Sequence, residues 1–232
     1  MEKKGEEMNF IVTEECVGLG LRAGAIVFRD LQVKASGSSQ RAEIAKEVAA
    51  VRARFANAQA VRRDPLVTSF QAILSQVGAG SSMDRPSVAR LLTFALKRGD
   101  LPAINNLVDA YNLVSIRSAC SLGAHDLDQI MPPVSLRILD GSESFTPLGS
   151  DEQIPVTPGE FGYVDAANRL LCRLDVLQAD FSKVTEATVN AIVIVEGTVA
   201  HTPQVLRKAF ADVMELVPRY CGATGEIVSF PE

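Results

Sequence analysis

Asn105-Asn-Leu-Val-Asp-Ala-Tyr-Asn-Leu-Val-Ser-Ile-Arg-Ser-Ala-Cys-Ser-Leu-Gly-Ala-His-Asp-Leu-Asp128 lies at the middle of the chain and separates two different kinds of sequence. Ile104, Leu107, Val108, Tyr111 and Val114/Ser115 recur at the spacing of one apolar stripe on a helix. The stripe is expected to be core, and the helix to run out near Ala119 to Ser121, with Gly123 as a natural stop. His125 then falls on the loop that follows, beside Asp126 and Asp128, where a polar side chain is easily aimed into a cleft. The same spacing also suits an ordinary hydrogen-bonded histidine.

N-terminal to this stretch the chain reads mostly as helices. Ser38 or Ser39 caps a helix that runs to about Arg63, with Ile44, Val48, Val51 and Phe55 on one face. Pro65 begins a shorter one, and Val88, Leu91, Leu92, Ala95 and Leu96 fill the face of another, up to Arg98-Gly99. Asp84 or Arg85, before Pro86, marks the start of that third helix. Ahead of the helices, Asn9 to Glu14 and Ala25 to Lys34 read as strands. Gly18, Gly20 and Gly24 between them do not open a helix as a dinucleotide fingerprint would, and suit a bent or bulged strand better. Gly78 to Ser82 lacks the Gly-Lys-Ser/Thr ending of a phosphate loop and reads as a linker.

From Pro132 onward the pattern changes to strands. Val134 to Leu139, Ser144 to Leu148 and Phe161 to Asp165 are short, and Tyr163-Val-Asp165 with Arg169 to Leu174 reads as a hairpin. Ala191-Ile-Val-Ile-Val195 is a continuous apolar run ending at Glu196-Gly197. Thr202-Pro203 opens a last helix, and Ile227 to Phe230 adds a strand. Helices, then strands, then a helix give an α+β fold in which helices cover a sheet.

Bulk composition narrows the function. The chain has 232 residues, 47% of them hydrophobic, and a net charge of −5. One domain over 1–232 is expected, with a solvated tip at 1–8 and a core at about 66–230. The acidic balance argues against tight, salt-sensitive binding to bulk nucleic acid. Cys16, Cys120, Cys172 and Cys221 form no CxxC, so they read as reduced core residues of a cytoplasmic protein, and neither a zinc site nor any cofactor is expected. No run approaches the ~18 apolar residues of a membrane span, and the charged first nine residues lack the apolar core of a signal peptide.

Cys120 lies five residues before His125, and the two could meet if the loop folded back, but a buried structural thiol fits better. His201 reads as a polar helix-start residue. Glu196 carries more information. A carboxylate after five apolar residues must be solvated, paired or hydrogen-bonded, and Gly197 beside it would let a ligand or backbone come close.

Asn106-Leu-Val-Asp-Ala-Tyr-Asn-Leu-Val114, Leu122-Gly-Ala-His-Asp-Leu-Asp128, Val134-Ser-Leu-Arg137, Gly141-Ser-Glu-Ser-Phe145, Pro158-Gly-Glu160, Leu171-Cys-Arg173 and Thr185-Glu-Ala-Thr188 through Glu196-Gly197 follow one another in an order that resembles a known domain. It is the tRNA-binding and editing domain of the bacterial phenylalanyl-tRNA synthetase beta chain, here in stand-alone form. The resemblance implies a three-layer arrangement with a β-sandwich-like core of unusual topology covered by helices. It also implies hydrolysis of tyrosine wrongly attached to phenylalanine-specific tRNA, or of a related error. On it, His125 is the motif histidine of the editing pocket and the candidate catalytic residue. Glu196 becomes the acid that accepts a hydrogen bond from the tyrosine hydroxyl. Gly123 and Ala124 flank the histidine, and Gln178-Ala179 replace the family's Gly-Gly pair and narrow the site. The run from Thr188 to Glu196 is longer than the family's.

Two functions stay open: a trans-acting deacylase of mischarged aminoacyl-tRNA, and a non-catalytic module that holds tRNA or an amino-acid-like ligand. The partner in either case is the acceptor end of tRNA, contacted locally, with Arg52, Arg54, Arg62, Arg63, Arg207 and Lys208 as the basic residues available. Neither reading involves a membrane, and neither specifies the oligomeric state.

Overall fold

A computed structural model describes residues 8–79 and 85–231. Asp84 and the part of the 78–82 linker from residue 80 on lie outside the described residues. The order along the chain is β1 (Phe10–Val12), α1 (Glu14–Gly18), β2 (Leu21–Arg29), α2 (Ser38–Arg54), α3 (Ala58–Arg62), α4 (Pro65–Gln76), α5 (Ser87–Arg98) and α6 (Asn106–Ser118). Then come β3 (Ser121–Asp126), a 3-10 turn, β4 (Val134–Ile138), β5 (Phe161–Val164), β6 (Leu170–Arg173), β7 (Leu177–Gln178), β8 (Ala191–Thr198), α7 (Pro203–Cys221) and β9 (Thr224–Ser229).

Two sheets face each other, and helices cover one of them. The first sheet runs β3-β8-β2-β9 and the second β1-β4-β5-β6-β7. Alternation along β8 explains the layering. Ala191, Val193 and Val195 point into the helical core with Ile26, Phe28, Leu113, Ile116, Phe210 and Val213. Ile192 and Ile194 point the other way, onto Val134, Leu136, Phe161, Tyr163 and Leu171 of the second sheet. A smaller apolar cluster of Leu139, Phe145, Val156, Val164, Leu170 and Ala179 packs beneath the long 140–160 connection. The α+β fold expected from the sequence is the one observed, a sandwich with one face covered by helices.

Several boundaries differ from the sequence reading. The long helix expected to reach Arg63 stops at Phe55, whose backbone is extended, and Asn57 caps α3 by accepting from the N–H groups of Gln59 and Ala60. Of the glycines read as a bent or bulged strand, Gly18 ends the short helix α1 and Gly20, φ 98°, makes the turn after it, while Gly24 lies within β2 next to a shift of register against β9 at Ala25/Ile26. Ser144 to Leu148 makes only isolated bridges, Ser144 to Arg169 and Pro147 to Ala179. Proline cannot donate to a ladder, so no regular strand forms there.

The largest difference concerns α6. Ala119 ends it in the left-handed conformation at φ 58°, with its N–H on the Ser115 carbonyl, and the chain passes directly into β3. Gly123 is therefore a strand residue and not a helix stop, and His125 lies on an edge strand and not on a loop. Ile104 precedes α6 and is exposed. Asn106, at the helix start, ties α6 into the fold: its Nδ2 donates to the carbonyls of Gln32 at 2.8 Å and Tyr220 at 2.9 Å, and its Oδ1 accepts from Lys34 N.

Candidate functional site

β3 pairs antiparallel with β8, bringing Ser121 opposite Glu196, Gly123 opposite Ile194 and His125 opposite Ile192. With a period of two, Ser121, Gly123, His125 and Glu196 all share the face turned to the second sheet. There the two sheets and the helices α5 and α6 enclose a cavity of about 220 Å³, whose wall includes Ser87, Tyr111, Ser121, Gly123, His125, Tyr163, Asp175 and Gln178. A Cβ built on Gly123 would meet nothing within 4 Å, so the bare backbone at this position widens the space.

His125 is 2% exposed, and its Nδ1 lies 2.9 Å from Ser182 Oγ. That bond fixes the ring and leaves Nε2 as the nitrogen available to the cavity. Burial pushes the imidazole down to about 4, so the ring is neutral at ordinary pH. Gln178 reaches across from the second sheet and donates to the Ala124 carbonyl at 3.1 Å, closing one side of the cavity. The parity that turns the Ala124 C=O outward along this edge turns its N–H the same way, presenting a backbone donor.

Behind this wall, Tyr163 donates its hydroxyl to Glu196 Oε2, while Glu196 Oε1 is buried without a hydrogen-bond partner. Asp175, on the turn between β6 and β7, accepts from Ser87 Oγ at 3.1 Å, and Ser87 is in turn hydrogen-bonded to Ser121. Burial raises both Asp175 and Glu196 above the ordinary carboxylate range, and the charge of Asp175 raises Glu196 further. Cys172 also lines the cavity, but burial, and then Asp175, hold its thiol well above the usual range, so it is not a nucleophile at neutral pH. Among the described residues no three His, Cys, Asp or Glu side chains gather where a metal ion could be held.

The pattern of the B3/4 domain matches residues 70–222, well over half of the chain. The chain belongs to the B3/4 domain family. Seventeen solved chains match this B3/4 domain in structure, among them an N-terminal fragment of the phenylalanyl-tRNA synthetase beta-subunit from Pyrococcus horikoshii, with a TM-score of 0.52 and 13% identity. The alignment covers 97% of this chain and 52% of that one, so the chain spans about half the length of its structural relative. No curated protein matches the sequence. The likeness to the synthetase beta-subunit fragment thus stands at the level of the fold.

Of the residues singled out in the sequence, the B3/4 fold brings His125, Gly123 and Gln178 to one cavity. Glu196 is not on its wall. Only 1% exposed and already bonded to Tyr163, it lies one side chain deeper and mid-strand rather than at a strand end. Ala124 turns its methyl group into the helical core and contributes only backbone to this edge. Ala179 packs in the small cluster under the 140–160 connection. Gly197 makes room for protein rather than ligand, since a Cβ there would lie 2.7 Å from Leu206. Cys120 faces the helical core, opposite to His125, and burial pushes its thiol up to about 12. His201 is a buried structural residue: Nδ1 accepts from Thr198 N at 3.0 Å and Nε2 donates to the Ala119 carbonyl at 3.0 Å.

Asp175, Tyr163 and Ser87 were not singled out in the sequence. Leu174-Asp175 reads locally as the tail of a strand, and Ser87 as an unremarked helix-start serine. A Leu-Asp pair before a second apolar-polar alternation at Val176 to Gln178 is the only signal of a tight turn there.

Proposed function

We propose that this B3/4 domain hydrolyses mischarged aminoacyl-tRNA in trans, with the aminoacyl group held in the cavity beside His125. The observation that carries this reading is a neutral, anchored imidazole on the wall of a part-enclosed cavity, with bare backbone at Gly123 beside it on the same strand. An aminoacyl ester is already activated. Water adds to the carbonyl carbon, the carbon–oxygen bond to the ribose breaks, and the ribose oxygen leaves with the proton that the water gives up. A neutral Nε2 accepts a hydrogen bond from that water or from the neighbouring ribose hydroxyl, and the Ala124 N–H is available to the developing oxyanion.

With a pKa near 4 the imidazole positions water better than it removes a proton. That favours a second reading, a module that holds an aminoacyl group or tRNA end without turning it over. Family membership supports an association with tRNA in both cases. Contact should be local, because the net charge is −5 and the exposed Arg54 and Lys208 are already paired with Asp64 and Asp212. Arg52, Arg62, Arg63 and Arg207 are exposed as well.

The deciding assay is release of labelled amino acid from a panel of mischarged tRNAs, tyrosine on phenylalanine-specific tRNA included. His125→Ala should lower the rate by roughly ten- to a thousand-fold. Release no faster than spontaneous hydrolysis would leave only the binding module, and release unaffected by His125→Ala would place the chemistry elsewhere.

A further inference from the structure

The β6–β7 turn sets a carboxylate on the cavity wall. Leu174 and Asp175 both have positive φ, 55° and 54°, and Val176 N donates to the Arg173 carbonyl at 3.0 Å, so a primed turn heads the short connection between the paired Arg173 and Leu177. The turn brings Asp175 against Ser87, the first residue of α5, and near Ser121, the first residue of β3. The Ser87 proton is directed at Asp175 Oδ2, so what this corner offers the cavity is an acceptor. Among the described residues no Lys or Arg lines the cavity.

A second, independent observation points the same way. Directly behind this corner Glu196, 1% exposed, leaves Oε1 buried and unpartnered in a small void that Asp175 also lines. A fully buried carboxyl group thus stands behind a half-buried one, and among the described residues the side-chain donors on them are hydroxyl groups. Asp175 lines the cavity and Glu196, bonded to Tyr163 behind it, does not, so an incoming hydroxyl finds Asp175 and not Glu196.

We propose that Asp175 is the specificity-determining residue of this cavity, accepting a hydrogen bond from a hydroxyl or amine at the end of the aminoacyl side chain. The proposal rests on the reading of the cavity as an aminoacyl site. It moves the discrimination from Glu196 to Asp175: a side chain that carries a donor gains a hydrogen bond to this carboxylate, beside the one from Ser87, that an apolar side chain of the same shape leaves unmade.

The test is isothermal titration calorimetry of the full chain with non-hydrolysable 3′-aminoacylamino-3′-deoxyadenosines in matched pairs: tyrosyl against phenylalanyl, seryl against alanyl, ornithyl against norvalyl. The donor-bearing member of at least one pair should bind about tenfold or more tightly than its partner, and the pair that responds distinguishes hydroxyl from amine. Asp175→Ala, which removes the acceptor, should bring that ratio close to one. If its melting curve shows it unfolded, Ser87→Ala serves instead and should change the ratio about threefold. Equal affinities within every pair, a preference that survives a folded variant, or no binding by any member would overturn the proposal. Donor preference without release from the matching aminoacyl-tRNA would sink the hydrolase reading and keep Asp175. Release without preference would do the reverse.

Discussion

At the scale of the residue, the consequence of burying His125 is a pH dependence that can be signed. Its unfolded pKa is near the ordinary 6.5, and in the fold it is lowered to about 4 by burial. Between those values the unfolded chain takes up a proton that the folded chain does not. The stability that depends on a neutral His125 is therefore complete above pH 6.5 and is lost as the pH falls toward 4. Asp175 and Glu196, raised in the fold, act in the opposite direction, so the comparison has to be a difference between two proteins. In urea denaturation, the wild type should lose about 1.4 kcal/mol more than His125→Gln for each pH unit below 6.5. Parallel stability curves for the two would mean that the ring takes up its proton as easily in the fold as outside it. The sequence placed this histidine beside a buried helix but could not show its burial, because Ser182, which anchors the ring, and Gln178, which closes the cavity beside it, lie more than fifty residues further along the chain.

At the scale of the element, α6 is positioned by polar contacts as much as by its apolar stripe. Asn106 is 1% exposed, and besides its bonds to Gln32, Tyr220 and Lys34 its carbonyl accepts from Gln40 Nε2 at 2.7 Å. Asp109, one turn on, accepts from Ser36 Oγ at 2.6 Å and from Ile104 N at 3.1 Å. These bonds hold α6 against the 32–36 connection and α7, and so set where β3 begins. Asn106→Ala would take the side-chain partner from two carbonyls and an amide that are part-buried, a loss of roughly 2 kcal/mol. Thermal or chemical unfolding measures it directly, and a loss under about 1 kcal/mol would show that water replaces the side chain.

At the scale of the whole molecule, the N-terminal strands belong to both sheets. β1 pairs in parallel with β4, and β2 lies between β8 and β9. A fragment beginning near residue 86 would lose the central strand of the first sheet and expose the Ile192, Val193 and Ile194 backbone. We therefore expect the chain to unfold as one unit, and limited proteolysis to yield no stable fragment starting there. A protease-resistant core lacking the first 64 residues would contradict this.

The sequence by itself determined the class of the fold, the helical half and the sheet half, and the cap at Thr202 before Pro203, because those depend on period and on local backbone chemistry. It also singled out His125 and Glu196, and a strand period of two was enough to expect that the acid keeps its face. Depth was another matter. That Glu196 sits behind Tyr163, that Gln178 clamps the Ala124 carbonyl, and that Asp175 and Ser87 form the corner facing the cavity are all contacts across two sheets and a helix. Each joins segments more than thirty residues apart. No local pattern encodes which side chain reaches the space first, and only the packing of one sheet on the other decides it.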